Sequence, residues 1–127
     1  LIFGSLHTNS ASQTIERIID VFPPNQQSQI RNQLANTMSG IISQRLIPRL
    51  KGGLVPAVEV MIATPAVRTL IRDNRPRQID LVIETSQEAG MISLNRSLVD
   101  LVRRKEIALE RAQFYSQNLS EFQELLR

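Results

Sequence analysis

A single change of hydrophobic period does most to limit what this chain can fold into. Val58, Val60 and Ile62 alternate with Glu59 and Met61 at the period of a strand, shortly after Pro48 and the Gly52-Gly53 pair. The flanking apolar residues instead recur at helical spacing, so β-structure is confined and the expectation is an α/β fold with a β-hairpin over 44–63. Ahead of it, Ser10 with Gln13 three residues later is a capping signature for a helix whose apolar face is Ile15, Ile18, Ile19 and Phe22. Pro23 and Pro24 end that helix. A second helix is expected from about Gln26, with Ile30, Leu34, Met38, Ile41 and Ile42 at helical period.

Beyond the hairpin, Thr64-Pro65 opens a short helix that buries Val67, Leu70 and Ile71, and Asn74 closes it. Pro76 starts another, carrying Ile79, Val82 and Ile83 and ending before Gly90, while Ser93 caps one through Leu94, Leu98, Val99 and Val102. The tail from about Ala108 reads as helical too. The opening run LIFGSL, Leu1 to Leu6, has the character of a buried strand, taken as cut inside a larger sheet. The order is then strand, two helices, hairpin and a helical C-terminal cluster, within the 127 residues of one ordinary domain.

Composition removes several function classes. There is no cysteine, hence no disulfide framework or thiolate metal site, and no apolar run approaches the roughly 20 residues of a membrane span. Lys51 and Lys105, the only lysines, are followed by Gly52-Gly53 and by Glu106, so neither sits in a Gly-Lys-Ser/Thr phosphate loop. No Ser/His/Asp or Cys/His set can be assembled, and Asp20, Glu59 and Asp100 lie on separate elements, read as surface or paired acids. His7, the single histidine, follows an apolar run at a polar turn. That is either a place for a ligand at the carboxyl end of a strand or a turn residue satisfying backbone groups. Arg45, Arg49, Lys51, Arg68, Arg72, Arg75 and Arg77 are opposed only by Glu59 and Asp73, which concentrates positive charge in a chain of net charge +3. Arg68 and Arg72, four apart, share one helix face, either a contact surface or a solvated one.

Several segments carry a family resemblance. LIFGSLHTN, Leu1 to Asn9, resembles the end of the His box of PilT-type secretion ATPases, and AVRTLIRD, Ala66 to Asp73, resembles their signature AIRNLIRE motif. Thr14–Phe22, Ile42–Leu46, Glu59–Ile62 and Gly90-Met91 are similar to family segments in the same order, to about residue 115. Val67, Thr69 and Asp73 depart from the signature, and Ile42 to Pro48 leans toward the accessory type of retraction ATPase; residues 116–127 match no family segment.

The resemblance implies the second half of a RecA-like ATPase core over 1–63, then a helical region over 64–127. It implies that His7, with Thr8 beside it, senses the nucleotide γ-phosphate, and that Ala66, Val67, Arg68, Thr69, Leu70, Ile71, Arg72 and Asp73 couple ATP use to motion. It further implies a parent that is a homohexameric, ATP- and Mg²⁺-dependent motor of pilus retraction and twitching motility. That motor would work at the cytoplasmic face of the inner membrane against the pilus platform protein. The phosphate loop would precede Leu1, so the isolated chain is expected to bind no cofactor or metal and to be inactive alone. Two other readings stand beside this one. A type II secretion or pilus-extension ATPase would carry a four-cysteine zinc module here, and a basic nucleic-acid-binding module would want more than four Phe and one Tyr for stacking. Specific nucleic-acid binding and membrane insertion are therefore not expected.

Overall fold

The computed structural model describes all residues from Leu1 to Arg127. Helix α1 runs Ala11–Asp20, with the Ser10 side chain accepting from the Gln13 amide as the capping signature requires. The Gln13 side chain reaches back to the Asn9 amide at 3.2 Å, one residue short of the usual reciprocal bond. Helix α2, Pro24–Thr37, starts on the second proline of the pair, which stands where a missing N–H costs nothing.

Strands β1, Gly40–Pro48, and β2, Leu54–Ile62, form an antiparallel hairpin in register from Gly40 opposite Ile62 to Pro48 opposite Leu54. Gly52 and Gly53 hold φ of 91° and 75° in its turn, a region that only glycine enters freely. Gly40 serves a different need: a Cβ there would lie 2.8 Å from the Met61 carbonyl oxygen. Helix α3, Pro65–Arg72, is followed by a 3-10 turn over Pro76–Gln78, α4 over Ile79–Thr85 and a second 3-10 turn over Gln87–Ala89. Helices α5, Leu94–Arg103, α6, Leu109–Tyr115, and α7, Leu119–Leu126, complete the chain. None of these helices is long and apolar enough to cross a membrane.

Two cores lie along the one inward face of the hairpin, toward its opposite ends. One joins Ile15 and Ile19 of α1, Met61 of β2, Val67 and Ile71 of α3, and Ile79 and Ile83. The other joins Ile47 and Ala57 of the hairpin to Leu98 and Val99 of α5, Ala112 of α6 and Phe122 of α7. The hairpin thus supplies both, and the first core draws on residues from both sides of position 63.

Three sequence expectations are corrected. The Leu1 to Leu6 run forms no strand and its large side chains are exposed; the sheet consists of β1 and β2 and does not include it. Ile41 and Ile42 extend β1 rather than α2; α2 ends at Thr37, and the two β-branched residues pair with Met61 and Val60. The hairpin is also turned over relative to the apparent pattern. Glu59 and Met61, with Ala57, face inward, and Ile62 with its parity faces out. Both faces of β2 are apolar, so period alone did not say which one the helices cover.

Candidate functional site

The His7-Thr8 end is built on α1. Thr14 donates its hydroxyl proton to the Ser10 carbonyl at 2.8 Å, so the 2.5 Å contact between the Thr8 and Thr14 hydroxyls is a bond donated by Thr8. This holds half-buried Thr8 against the first turn of the helix, while His7, one residue earlier, is exposed with its ring open to solvent. Behind that turn stands a residue read as an ordinary acid in the sequence. Glu59, 7% exposed, accepts the Ala11 amide of α1 at 2.8 Å on its Oε1. A carboxylate is favourable at a helix N-terminus, and α1 has no acid of its own in its first turn. Burial nevertheless raises the Glu59 pKa, opposed by the Ala11 hydrogen bond and by Arg45, and reinforced by Asp80 and Glu121. It shares the inward face of β2 with Ala57 and Met61.

Helix α3 presents the other site residues. Val67 and Ile71 are fully buried and Leu70 half-buried, as its periodicity predicted, while Ala66, Thr69, Arg72 and Asp73 are exposed. Thr69 returns its hydroxyl to the Pro65 carbonyl. The Arg68 guanidinium donates to the Ala35 carbonyl, and Arg72 donates to Asn36 Oδ1 at 2.9 Å. Both arginines are thereby committed to the last turn of α2 rather than left free. Nor do the other basic residues form one strip with them: Arg49 pairs with Glu106 at 2.9 Å and Arg77 with Glu16 at 3.6 Å. The structure therefore brings His7 and Thr8 together at α1, and places α3 separately beside the far end of α2.

A third feature had no counterpart in the sequence reading. Glu59, Asp80, Glu84 and Glu121 line a cavity of about 270 Å³ together with Ser93, Asn95 and Asn118. Glu121 of α7 accepts from Ser93 at 2.7 Å and from Asn95 at 2.6 Å, which anchors the C-terminal helix on the start of α5. Burial raises the pKa of Asp80, against its bond from Ser12, and that of Glu84, with Glu121 adding repulsion. No three carboxylates are arranged to hold a metal ion. The visible sequence signal was Asn118 with Glu121 three residues on, and the Asn118 side chain does cap α7.

With this geometry, relatives are informative. No protein-family model matches the chain. A twitching motility protein of Neisseria gonorrhoeae is 44% identical over 119 residues, 93% of this chain and 32% of that protein. The type IV pilus retraction ATPase PilT of Pseudomonas aeruginosa is 43% identical over 112 residues, 88% of this chain and 33% of its own length. PilU, a type IV pilus ATPase of the same organism, is 29% identical over 128 residues, covering 100% of this chain and 34% of PilU, so the similarity is greater to PilT than to PilU. Among solved structures, the pilus retraction motor PilT with bound ADP superposes with a TM-score of 0.83 at 41% identity, over 98% of this chain and 34% of that one. That match runs through the C-terminal helices, including the residues that carry no family segment. The chain spans about a third of the length of the curated relatives it matches. Over the third of those proteins that it spans, the chain is similar to PilT-like proteins along nearly its whole length.

Proposed function

We propose that this chain is the sensing and coupling part of an ATP-driven motor for type IV pilus retraction and twitching motility. The observation that carries the reading is the match of nearly its whole length, hairpin and helical cluster together, to a retraction motor that holds ADP. In this reading residues 1–63 belong to the RecA-like core and residues 64–127 to the helical region that moves with it. His7, exposed at the end of the segment, is free to meet a phosphate oxygen, and Thr8 ties that segment to α1 through Thr14. Displacement of His7 would therefore be felt by the helix.

The parent binds ATP with Mg²⁺, which supply the phosphoryl-transfer energy, and this chain contributes no phosphate loop of its own. The parent acts as a homohexamer on the platform protein at the cytoplasmic face of the inner membrane, and α3 from Ala66 to Asp73 passes domain closure on to it. The isolated chain turns over no ATP.

The test is replacement of the corresponding segment in a PilT-deficient Pseudomonas strain by a full-length PilT carrying residues 1–127 of this chain. Twitching restored, and lost again with His7→Ala while the hexamer still forms, is the expected result. A folded hexamer that hydrolyses ATP but does not retract pili refutes the retraction assignment. Specific binding of the isolated chain to DNA that falls steeply with salt would favour the basic-module reading instead.

A further inference from the structure

We infer that Asn36 is a positioning residue for α3, and that the arginines of α3 act on the end of α2 rather than on an external partner. This rests on the coupling role proposed above for α3. The starting point is a deficiency in α2. Its last turn contains no basic side chain, and the residue after it, Met38, is extended rather than left-handed, so carbonyls at its C-terminus lack the usual local partners. Arg68, more than thirty residues later, supplies one by donating to the Ala35 carbonyl, and Arg72 joins the same end by donating to Asn36 Oδ1 at 2.9 Å. Positive charge at that end also meets the negative pole of the helix.

The connectivity gives these bonds mechanical meaning. Helix α2 leads into β1 and β2 leads into α3, so the two helices leave the same open end of the hairpin. There the Ala63 amide also donates to the Ser39 carbonyl at 3.1 Å. Backbone and arginine contacts together close α2, β1, β2 and α3 into one ring. Helix α2 buries only Ala35 fully, so it depends on that clasp more than a core helix would. The Arg72–Asn36 bond is the exposed member of the clasp, able to open without disturbing either core.

The experiment compares Asn36→Ala, Asn36→Asp, Arg72→Ala and the double alanine variant. Each is made in the 127-residue chain, where amide exchange at residues 35–38 is followed. Each is also made in a full-length retraction ATPase carrying this segment, where retraction speed and ATP turnover are measured. Either single alanine should speed exchange and slow retraction several-fold with turnover and melting temperature retained. The double should be no worse than one single, and Asn36→Asp, which keeps an acceptor for the guanidinium, should restore both readouts. Exchange and retraction both unchanged in Asn36→Ala, or losses that multiply in the double variant, overturn the inference. Faster exchange with normal retraction shows a clasp that does not couple, and overturns the positioning role. Absent retraction with the unsubstituted segment, alongside the expected exchange behaviour, defeats the coupling role and its dependence on Asn36, while a clasp of purely structural kind stands.

Discussion

Glu59→Gln separates two effects that the structure sets against each other. The carboxylate satisfies the buried Ala11 amide at the start of α1, yet it is itself desolvated beside Asp80 and Glu121, with Arg45 as the compensating cation. Its pKa is raised above the ordinary 4.5, so the native state keeps the proton to higher pH than the unfolded chain does. The sign follows from that. The contribution of this group is full below the unfolded value and is lost as pH rises through the folded one. Glutamine retains an acceptor for Ala11 and never ionises. The Gln variant should therefore melt above the wild type at pH 7, with the gap closing as pH falls toward 4.5. Glu59→Ala behaves differently, since it leaves the Ala11 N–H buried without an acceptor, at a cost of about 1–3 kcal/mol. At this chain length 1 kcal/mol corresponds to about 4 °C in melting temperature, so a drop of about 4–12 °C is expected at the acid end, where Glu59 holds its proton, and a smaller one as pH rises. Thermal unfolding followed by circular dichroism from pH 4.5 to 8 measures all three proteins. A Gln variant that melts below wild type by a constant margin across this range would refute the reasoning, and would mean that attraction of the ionised carboxylate to the α1 N-terminus exceeds its desolvation.

Three further substitutions test the packing. Phe122→Ala removes the fully buried anchor of α7 from the second core and should cost about 3–5 kcal/mol, read as a lower urea midpoint with unchanged slope. Gly90→Ala forces a side chain onto φ of 91° with its Cβ 3.0 Å from Ile62 Cδ1, and should cost at least the roughly 1–2 kcal/mol of a left-handed residue, measured as a fall in melting temperature. Ser93→Ala deletes the α5 cap on the Arg96 amide and the 2.7 Å bond to Glu121, and should destabilise by about 1–2 kcal/mol in urea unfolding, with protease cleavage appearing first within residues 116–127.

What was legible in the sequence was whatever a local rule encodes. Ser10 and Ser93 cap helices because their hydroxyls reach an amide three residues on, and the hairpin turns where two glycines permit positive φ. The buried side of α3 followed from the spacing of Val67 and Ile71. The errors arose where a local pattern admitted two readings. Ile41 and Ile42 continue the helical spacing of α2, but the same residues fit the pleat of β1, and pairing with Met61 and Val60 decided it. An apolar run such as Leu1 to Leu6 specifies a strand only where an edge is present to receive it. For the site, His7, Thr8 and the α3 residues came from family resemblance, whereas Glu59, Asn36 and Glu121 have roles that no spacing within their own element announces.

Those three residues share a physical cause. Helix α1 has no acid in its first turn, α2 no base in its last and α5 no acid in its first. Ser10 and Ser93 cap one amide each of α1 and α5, and each of the three termini is also met by groups from elsewhere in the fold. Glu59 meets the first amide of α1, Arg68 and Arg72 meet the end of α2, and Glu121 meets Ser93 and Asn95 where α5 begins. A helix end that takes a polar group from another element is fixed relative to the element that supplies it. In this chain those suppliers are β2, α3 and α7, so the hairpin, the signature helix and the C-terminal helix are each held to another helix by polar contacts at one end. Such contacts are directional and few, which lets a segment rotate about a packed core when one of them opens, whereas an apolar interface of the same extent would resist by its whole area. At these three ends the missing local charge coincides with a tertiary polar contact, and it is there that motion passed between elements is to be sought.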